Sequence, residues 1–391
     1  MDAYKCCTVN DLADVIERFL PSCLLNHQLP SYKLRALNAI LKCRTPYMGG
    51  HIEACQDCGV VRVAYNSCRN RHCPKCGAID KERWVLAREA DLLEVKYFHV
   101  VFTIPDKLNP LFLNNQRQLY NLLFTTSWQV LSSFGKDKKW IGGQMGATAI
   151  LHTGGQRLNY HPHIHMIVPA GALMANGKWK HSKNSGKYLF NTSQLANVFR
   201  ARLVSQIREL LAAKQIEGSV PEGLFDKEWV VYAKQPFNGA GQVIKYLGRY
   251  THRTAISNDR IEQVNDTHVT FSWKDYAQNY ARKTTTMDGR QFLDLFCQHI
   301  LPCGFTRIRH YGFLSSASKV KSLALIRNSL GTPKAAQPTQ DWQQIVLNRM
   351  GINPGVCKCC GGTMVIVEII PEQFHSRTRA PPVNKTENIN I

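Results

Sequence analysis

The sequence predicts an α+β protein built on an antiparallel sheet with helices on one face and preceded by a small zinc-binding domain. Three observations lead there. Segments rich in β-branched and aromatic residues at 97–105, 146–155, 160–169 and 228–233 alternate with helical stretches at 111–134 and 193–213. The second and third strands are separated only by a short turn, so they can pair antiparallel. Ahead of the first strand stand two Cys-x-x-Cys knuckles, Cys55 with Cys58 and Cys73 with Cys76, each followed by glycine.

Composition narrows the class of function. Forty-nine Lys and Arg against 28 Asp and Glu give a net charge of +21, spread along all 391 residues. A chain this basic is most simply a nucleic-acid binder, because its cations gain affinity by releasing counterions condensed on phosphates. No long apolar span and no basic amphipathic helix stands out, so a membrane partner is not expected. The opening Met1-Asp2-Ala3-Tyr4 lacks the basic-then-apolar layout of a signal peptide. A reducing cytoplasm is therefore expected, where clustered cysteines hold metal more often than they form disulfides.

Taken in order, residues 1–48 form a helical lead-in. Leu12, Val15, Ile16 and Phe19 make one apolar stripe and Leu34, Leu37, Ile40 and Leu41 another, punctuated by Pro21 and Pro30. Residues 49–90 are the zinc-binding domain. Thiolates favour tetrahedral Zn2+, and Cys55, Cys58, Cys73 and Cys76 are its expected ligands, a closed structural set. Cys68, His72 and His51 are spare donors, and a register using Cys68 or His72 stays open. Arg69 and Arg71, between the knuckles, can reach phosphate; a solvated loop is the plainer alternative.

Residues 91–257 carry the core. In Tyr160-His161-Pro162-His163-Ile164-His165-Met166-Ile167-Val168-Pro169, alternation puts His161, His163 and His165 on one strand face and Ile164, Met166 and Val168 on the other. Side-by-side imidazoles on a rigid strand can hold a divalent ion, although an ordinary polar face has the same pattern. Antiparallel pairing of 146–155 with this strand would bring His152 within reach. At 238–253 a helix is expected behind a glycine-rich turn. Tyr246 and Tyr250, four apart, share one face and lie about 6 Å apart along the axis. They also fit a core stripe with Val243 and Leu247. Lys245, Arg249, His252 and Arg253 make their surroundings cationic and suited to phosphate.

Residues 258–330 read as a basic, aromatic DNA-binding extension. Phe271, Trp273, Tyr276, Tyr280, Arg282 and Lys283, then Phe305, Arg307, Arg309, His310, Tyr311 and Phe313, interleave rings with cations as single-stranded nucleic acid requires. Residues 331–391 are expected to hold a linker, a single knuckle at Cys357 and Cys360, and a disordered tail. Half a zinc site needs two more ligands, and Cys297 and Cys303 are the candidates considered.

A histidine pair on a strand, a tyrosine pair on a later helix, a zinc knuckle and a basic surface together fit one reaction. A divalent ion neutralises charge on a scissile phosphodiester while a tyrosine hydroxyl attacks in line, leaving the strand end esterified to the protein. Four motifs make the resemblance specific. They are Cys-Arg-Asn-Arg-His-Cys-Pro-Lys-Cys, His-Pro-His-Ile-His, Tyr-Leu-Gly-Arg-Tyr-Thr-His-Arg and Arg-Ile-Arg-His-Tyr-Gly-Phe. Over roughly residues 10–320 the chain resembles the two-tyrosine HUH rolling-circle transposases of the insertion sequence ninety-one family.

That resemblance implies a ferredoxin-like HUH nuclease core opened by Phe102-Thr103-Ile104-Pro105. It implies His163 and His165 as ligands for Mg2+ or Mn2+, and Tyr246 and Tyr250 as nucleophiles. For a third ligand the sequence offers His152 or His161, with His152 the first choice. The implied substrates are single-stranded DNA at the element ends and target DNA, in a bacterial, nucleoid-associated setting. A plasmid replication initiator or relaxase would share the chemistry. A non-catalytic zinc-dependent DNA-binding regulator and a zinc hydrolase using His161, His163 and His165 are the readings from other classes.

Overall fold

The computed structural model describes residues 10–26, 28–237, 243, 248, 254–332 and 341–373. The chain opens with α1 (Leu12–Asn26) and α2 (Ser31–Lys42). Pro21, expected to end a helix, lies inside α1. It removes one hydrogen bond, to the Glu17 carbonyl, and both residues sit on the exposed face where water can replace it. Next come β1 (Gly50–Cys55), β2 (Val61–Tyr65), α3 (Ala78–Glu89) and β3 (Tyr97–Thr103).

The long helix expected over 111–134 is two, α4 (Asn109–Asn114) and α5 (Gln116–Lys136). Asn115 breaks it: its side-chain amide donates to the Leu111 carbonyl at 3.0 Å and the Glu217 carbonyl at 2.8 Å, competing with the helical ladder. Then follow β4 (Gly146–Gly154), β5 (Tyr160–Pro169), the hairpin of β6 (Gly171–Leu173) and β7 (Trp179–His181), α6 (Lys183–Gly186) and α7 (Thr192–Ala212). The fourth expected strand starts later than 228, as β8 (Val231–Phe237), because the buried Trp229 indole donates back to the Leu224 carbonyl at 2.8 Å. The rest is β9 (Ile261–Val264), β10 (His268–Asp275), β11 (Ala281–Asp288), α8 (Gly289–Gln298), β12 (Ile308–Gly312), α9 (Lys319–Leu330), α10 (Trp342–Met350) and β13 (Met364–Ile370).

The central sheet runs β12-β4-β5-β3-β8, antiparallel throughout. Its core order, β3-α5-β4-β5-α7-β8, is the split βαβ arrangement of ferredoxin-like folds. Phe98, Val100, Phe102, Ala147, Ala149, Leu151, Ile164, Met166 and Val168 turn to one face and are buried under α5 and α7. Helices were expected on that face only. At one end of the opposite face, however, Tyr97, Ile150 and Ile167 also need cover, which Leu323 and Ile326 of α9 and Val243 supply.

A second core joins distant parts of the chain. Leu12, Ile16 and Phe19 of α1 and Leu37 and Ile40 of α2 pack with Phe271, Phe292 and Phe296. The lead-in thus rests on the sheet β11-β10-β9 and on α8. Gly289 permits the close approach, since a methyl group there would meet the Phe19 ring at 2.1 Å. Residues 341–373, which hold the knuckle expected to be single, fold onto the amino-terminal module. β13 pairs with β1 in the sheet β13-β1-β2, and α10 packs against α3. No helix among the described residues is long and apolar enough to cross a membrane.

Buried His299 and half-buried His310 make the fold acid-sensitive. His299 donates from Nε2 to the Leu158 carbonyl at 2.9 Å and meets the Thr153 hydroxyl at 3.0 Å, and burial lowers its pKa to about 4. His310 bonds Thr148 and Arg88, and burial followed by the Arg88 charge lowers it to about 4 as well. Both folded values lie below the unfolded one, so the unfolded chain binds more protons between about pH 6.5 and 4. Their contribution, on the order of 3 kcal/mol each, is complete above pH 6.5 and is lost as pH falls through that window. The expected outcome is a melting temperature that drops between pH 6.5 and 4.5. It should drop less in His310→Asn than in wild type, and equal slopes would refute the assignment.

Candidate active site

The β4–β5 hairpin builds the candidate site. Register places His152 directly opposite His163, with Thr103 on the other side of His163, and places His165 between Val101 and Ile150. That pairing puts His152 on the same face as His163 and His165, with ring centroids 4.3 Å from His165 and 5.5 Å from His163. One ring nitrogen from each of the three lies within 4.8 Å of the others. His161 shares the strand face but falls outside this group; its Nδ1 sits 3.3 Å from the exposed Asp106 carboxylate. His152 and His165 are buried, and His163 is half-buried at the open side.

Hydrogen bonds orient the rings. His163 Nδ1 donates to the His161 carbonyl at 2.6 Å, which leaves Nε2 as its ligand atom. His165 Nδ1 lies 2.7 Å from Nε2 of His99, a buried residue on β3, with the two rings within 9° of parallel. Sequence reading missed His99, because 97–104 looks like a continuous buried strand. Only the pairing of β3 with β5 brings His99 onto the histidine face. Three imidazoles, two of them held through their second nitrogen, form a donor set that fits a divalent ion.

Tyr246, Tyr250, Lys245, Arg249 and Arg253 lie outside the described residues, as does His252. Two residues of this segment are described, Val243 and Gly248. Val243 is fully buried beside Ile167 and Ile150 on the histidine face of the sheet. A methyl group on Gly248 would lie 3.5 Å from Val85 of α3.

The cysteines regroup. Cys55, Cys58, Cys73 and Cys76 do not converge on one point. Cys73 and Cys76 meet Cys68 and Cys43, while Cys55 and Cys58 meet Cys357 and Cys360. Cys43, absent from the expected set, ends α2; the Arg44 N–H bond to the Asn66 carbonyl, 3.1 Å, brings it to the second knuckle. The Cys68 N–H donates to the Cys43 sulfur at 3.4 Å, tying the two ends of the group together. Of the spare donors, Cys68 joins the second knuckle, whereas the two histidines are engaged elsewhere. His72 is buried, accepts the Leu301 N–H at 3.3 Å and is pushed down to about 3 by burial, and His51 faces Glu53 at 3.1 Å. Cys297 is buried in the second core and Cys303 is exposed, and neither joins a cysteine group.

The basic, aromatic texture divides in two. Phe271, Phe305 and Phe313 are core side chains, and Tyr311 stacks on Trp128 with centroids 5.2 Å apart. Tyr276 and Tyr280 are more than half exposed at the β10–β11 turn, beside Trp273, over which Arg157 and Lys283 lie. This turn rests on the tip of the histidine hairpin, where Gln156 bonds Tyr276 and Arg260 donates to the Gln156 carbonyl. Arg69 and Arg71 are both exposed, and Arg71 also donates to the Phe305 carbonyl, so it braces the zinc module against the core.

Comparison with known proteins adds to this geometry. Residues 15–104 match the family described as "Transposase zinc-binding domain", and residues 146–321 match the family described as "Putative transposase". "Putative transposase y4qJ" of Sinorhizobium fredii (strain NBRC 101917 / NGR234) is 36% identical over 380 residues, covering 92% of this chain and 95% of the relative. "Transposase for insertion sequence element IS801" of Pseudomonas savastanoi pv. phaseolicola is 27% identical over 364 residues, covering 88% of this chain and 85% of the relative.

The bond between His99 and His165 can be tested apart from any reaction. His99→Leu is expected to weaken Mn2+ binding by about 10- to 100-fold, as loss of a ligand's hydrogen-bond partner does. His99→Gln, which still offers an acceptor, should restore most of it. Calorimetric titration measures both, and equal affinities for His99→Leu and wild type would rule the bond out as an orienting contact.

Proposed function

The chain belongs to the IS91-type insertion-sequence transposases, which carry an amino-terminal zinc-binding domain, and on that premise we propose that it nicks and rejoins single-stranded DNA at the element ends. The observation that carries this reading is the convergence of His152, His163 and His165 on a sheet face whose hairpin tip contacts the β10–β11 turn with its exposed Tyr276 and Tyr280. Bases stack on such rings, and Arg157, Lys283 and the exposed Arg69 track the phosphates. In the sequence, Lys245, Arg249 and Arg253 neighbour the two tyrosines.

His152, His163 and His165 would hold Mg2+ or Mn2+. The chemistry supplied by that ion is positive charge at the oxygens of the scissile phosphodiester. Tyr246 or Tyr250 gives up its phenolic proton, and its oxygen attacks phosphorus in line. The bond from phosphorus to the 3′ oxygen breaks, that oxygen takes up a proton, and the 5′ end remains on the protein as a phosphotyrosine. Attack by a second strand's 3′-hydroxyl reverses the step and joins the strands without a nucleotide cofactor. Two tyrosines allow two such esters at once. Cys43, Cys68, Cys73 and Cys76 hold a structural Zn2+ that contributes folding free energy to the amino-terminal module. The place of action is the bacterial cytoplasm, at nucleoid DNA.

A replication initiator or relaxase would use the same chemistry, but the relatives named as transposases favour transposition. Incubation with single-stranded DNA carrying an element end, plus Mg2+ or Mn2+, is expected to yield a covalent protein–DNA adduct on a denaturing gel. An adduct that survives in the double variant Tyr246→Phe with Tyr250→Phe would show the nucleophiles to be elsewhere. Binding without any cleavage by the wild type would point to a regulator. Replacing His163 and His165 with Ala should slow nicking by about 10²- to 10³-fold or more, with DNA affinity roughly unchanged. An equal loss of binding would mean that the histidines serve the interface rather than the chemistry.

A further inference from the structure

The family match to a zinc-binding domain ends at residue 104 and so does not include Cys357 and Cys360. Yet these two cysteines complete a group with Cys55 and Cys58, and the two knuckles are built alike. In the first, the Gly59 N–H donates to the Cys55 carbonyl at 3.1 Å and the Cys55 N–H to the Val60 carbonyl at 2.9 Å, with Gly59 at φ +70°. In the second, the Gly361 N–H donates to the Cys357 carbonyl at 3.0 Å and the Cys357 N–H to the Gly362 carbonyl at 2.8 Å, with Gly361 at φ +81°. Only glycine adopts that backbone without strain. The N–H groups of Cys359 and Gly362 point at the sulfurs of Cys357 and Cys360, each at 3.4 Å.

Strand pairing sets the knuckles face to face. β13 aligns Met364 with Cys55, and the Gln56 N–H reaches the Thr363 carbonyl at 3.0 Å. Cys55 and Cys360 sulfurs then lie 3.5 Å apart and Cys58 and Cys357 sulfurs 3.7 Å apart. A disulfide would need about 2.05 Å. Four thiolates around zinc at about 2.3 Å are spaced about 3.8 Å from one another, which is the spacing found. Beyond the β1–β13 ladder and the packing of α10 on α3, the segment buries little apolar surface. Among the described residues of 341–373 only Ile345, Val346 and Cys357 are buried apolar side chains, while Ile366, Val367 and Ile369 of β13 are 60%, 57% and 77% exposed.

We propose that Cys55, Cys58, Cys357 and Cys360 form a second zinc site that fastens residues 341–373 to the amino-terminal module. It is independent of the site at Cys43, Cys68, Cys73 and Cys76, and its loss releases the carboxy-terminal segment while the central sheet stays folded.

Zinc content of the gel-filtered full chain, measured by plasma mass spectrometry, tests this. Two zinc ions per chain are expected in wild type and in Cys359→Ser, and one in the double variant Cys357→Ser with Cys360→Ser. With a site-specific protease sequence inserted between 333 and 340 and then cut, the carboxy-terminal fragment should co-elute with the body in wild type and separate in the double variant. A double variant that retains two zinc ions, or a wild type holding one that the double change leaves in place, overturns the proposal. Because cysteine variants can fail to fold, metal-free wild type is also titrated with cobalt(II). Thiolate-to-cobalt absorption saturating at two equivalents supports the second site, and saturation at one excludes it.

Discussion

A β-strand turns successive side chains to opposite faces, and in β5 that alternation must satisfy two environments at once. Ile164, Met166 and Val168 are each 0% exposed beneath α5 and α7. Burying all three is worth about 5 to 9 kcal/mol at about 1.5–3 kcal/mol each. A one-residue slip would move them to the other face and carry the histidines into the apolar core. The apolar face therefore fixes the register, and the register sets His152 opposite His163. His99 enters the same face through the pairing of β3 with β5. The geometry of the polar face is thus a by-product of packing on the apolar one.

The same hairpin also connects the site to the proposed DNA-binding surface. Its tip, residues 155–159, is held by Arg260 and Tyr276, and Arg157 lies over Trp273. The sheet β11-β10-β9 that carries these aromatics is anchored in turn by α1 and α2, which share its apolar core. A strand seated on Tyr276 and Tyr280 is therefore positioned relative to the histidines by rigid elements rather than by a loop.

Short-range pattern was legible in the sequence and long-range partnership was not. The alternation in 160–169, the antiparallel pairing with 146–155 and the nearness of His152 all follow from periods of two and a short turn, and the structure has each of them. The knuckles are equally visible as local motifs, but spacing along the chain says nothing about which knuckles meet. Cys55 and Cys58 find partners some 300 residues away, and Cys73 and Cys76 meet Cys43, which has no motif of its own. His99 was hidden because a strand buried on one face and half-buried on the other reads as uniformly apolar. Phe271, Phe305 and Phe313 looked like stacking platforms because composition cannot separate a core ring from an exposed one. Pro21 was read as a stop because the pattern does not show that its lost hydrogen bond faces water.

The β1–β13 pairing has a consequence for how the chain is made. Cys55 and Cys360 are separated by 305 residues. At about 5–20 residues per second, the first knuckle leaves the ribosome about 15 to 60 s before its partner exists. Throughout that interval β1 has one open edge and the first knuckle has two thiols awaiting company, while the central sheet between them can already close. The amino-terminal module is thus begun first and finished last. A polypeptide interrupted before residue 357 would have its histidine face assembled and its opening module incomplete, so completion of that module reports that translation has passed the end of the core.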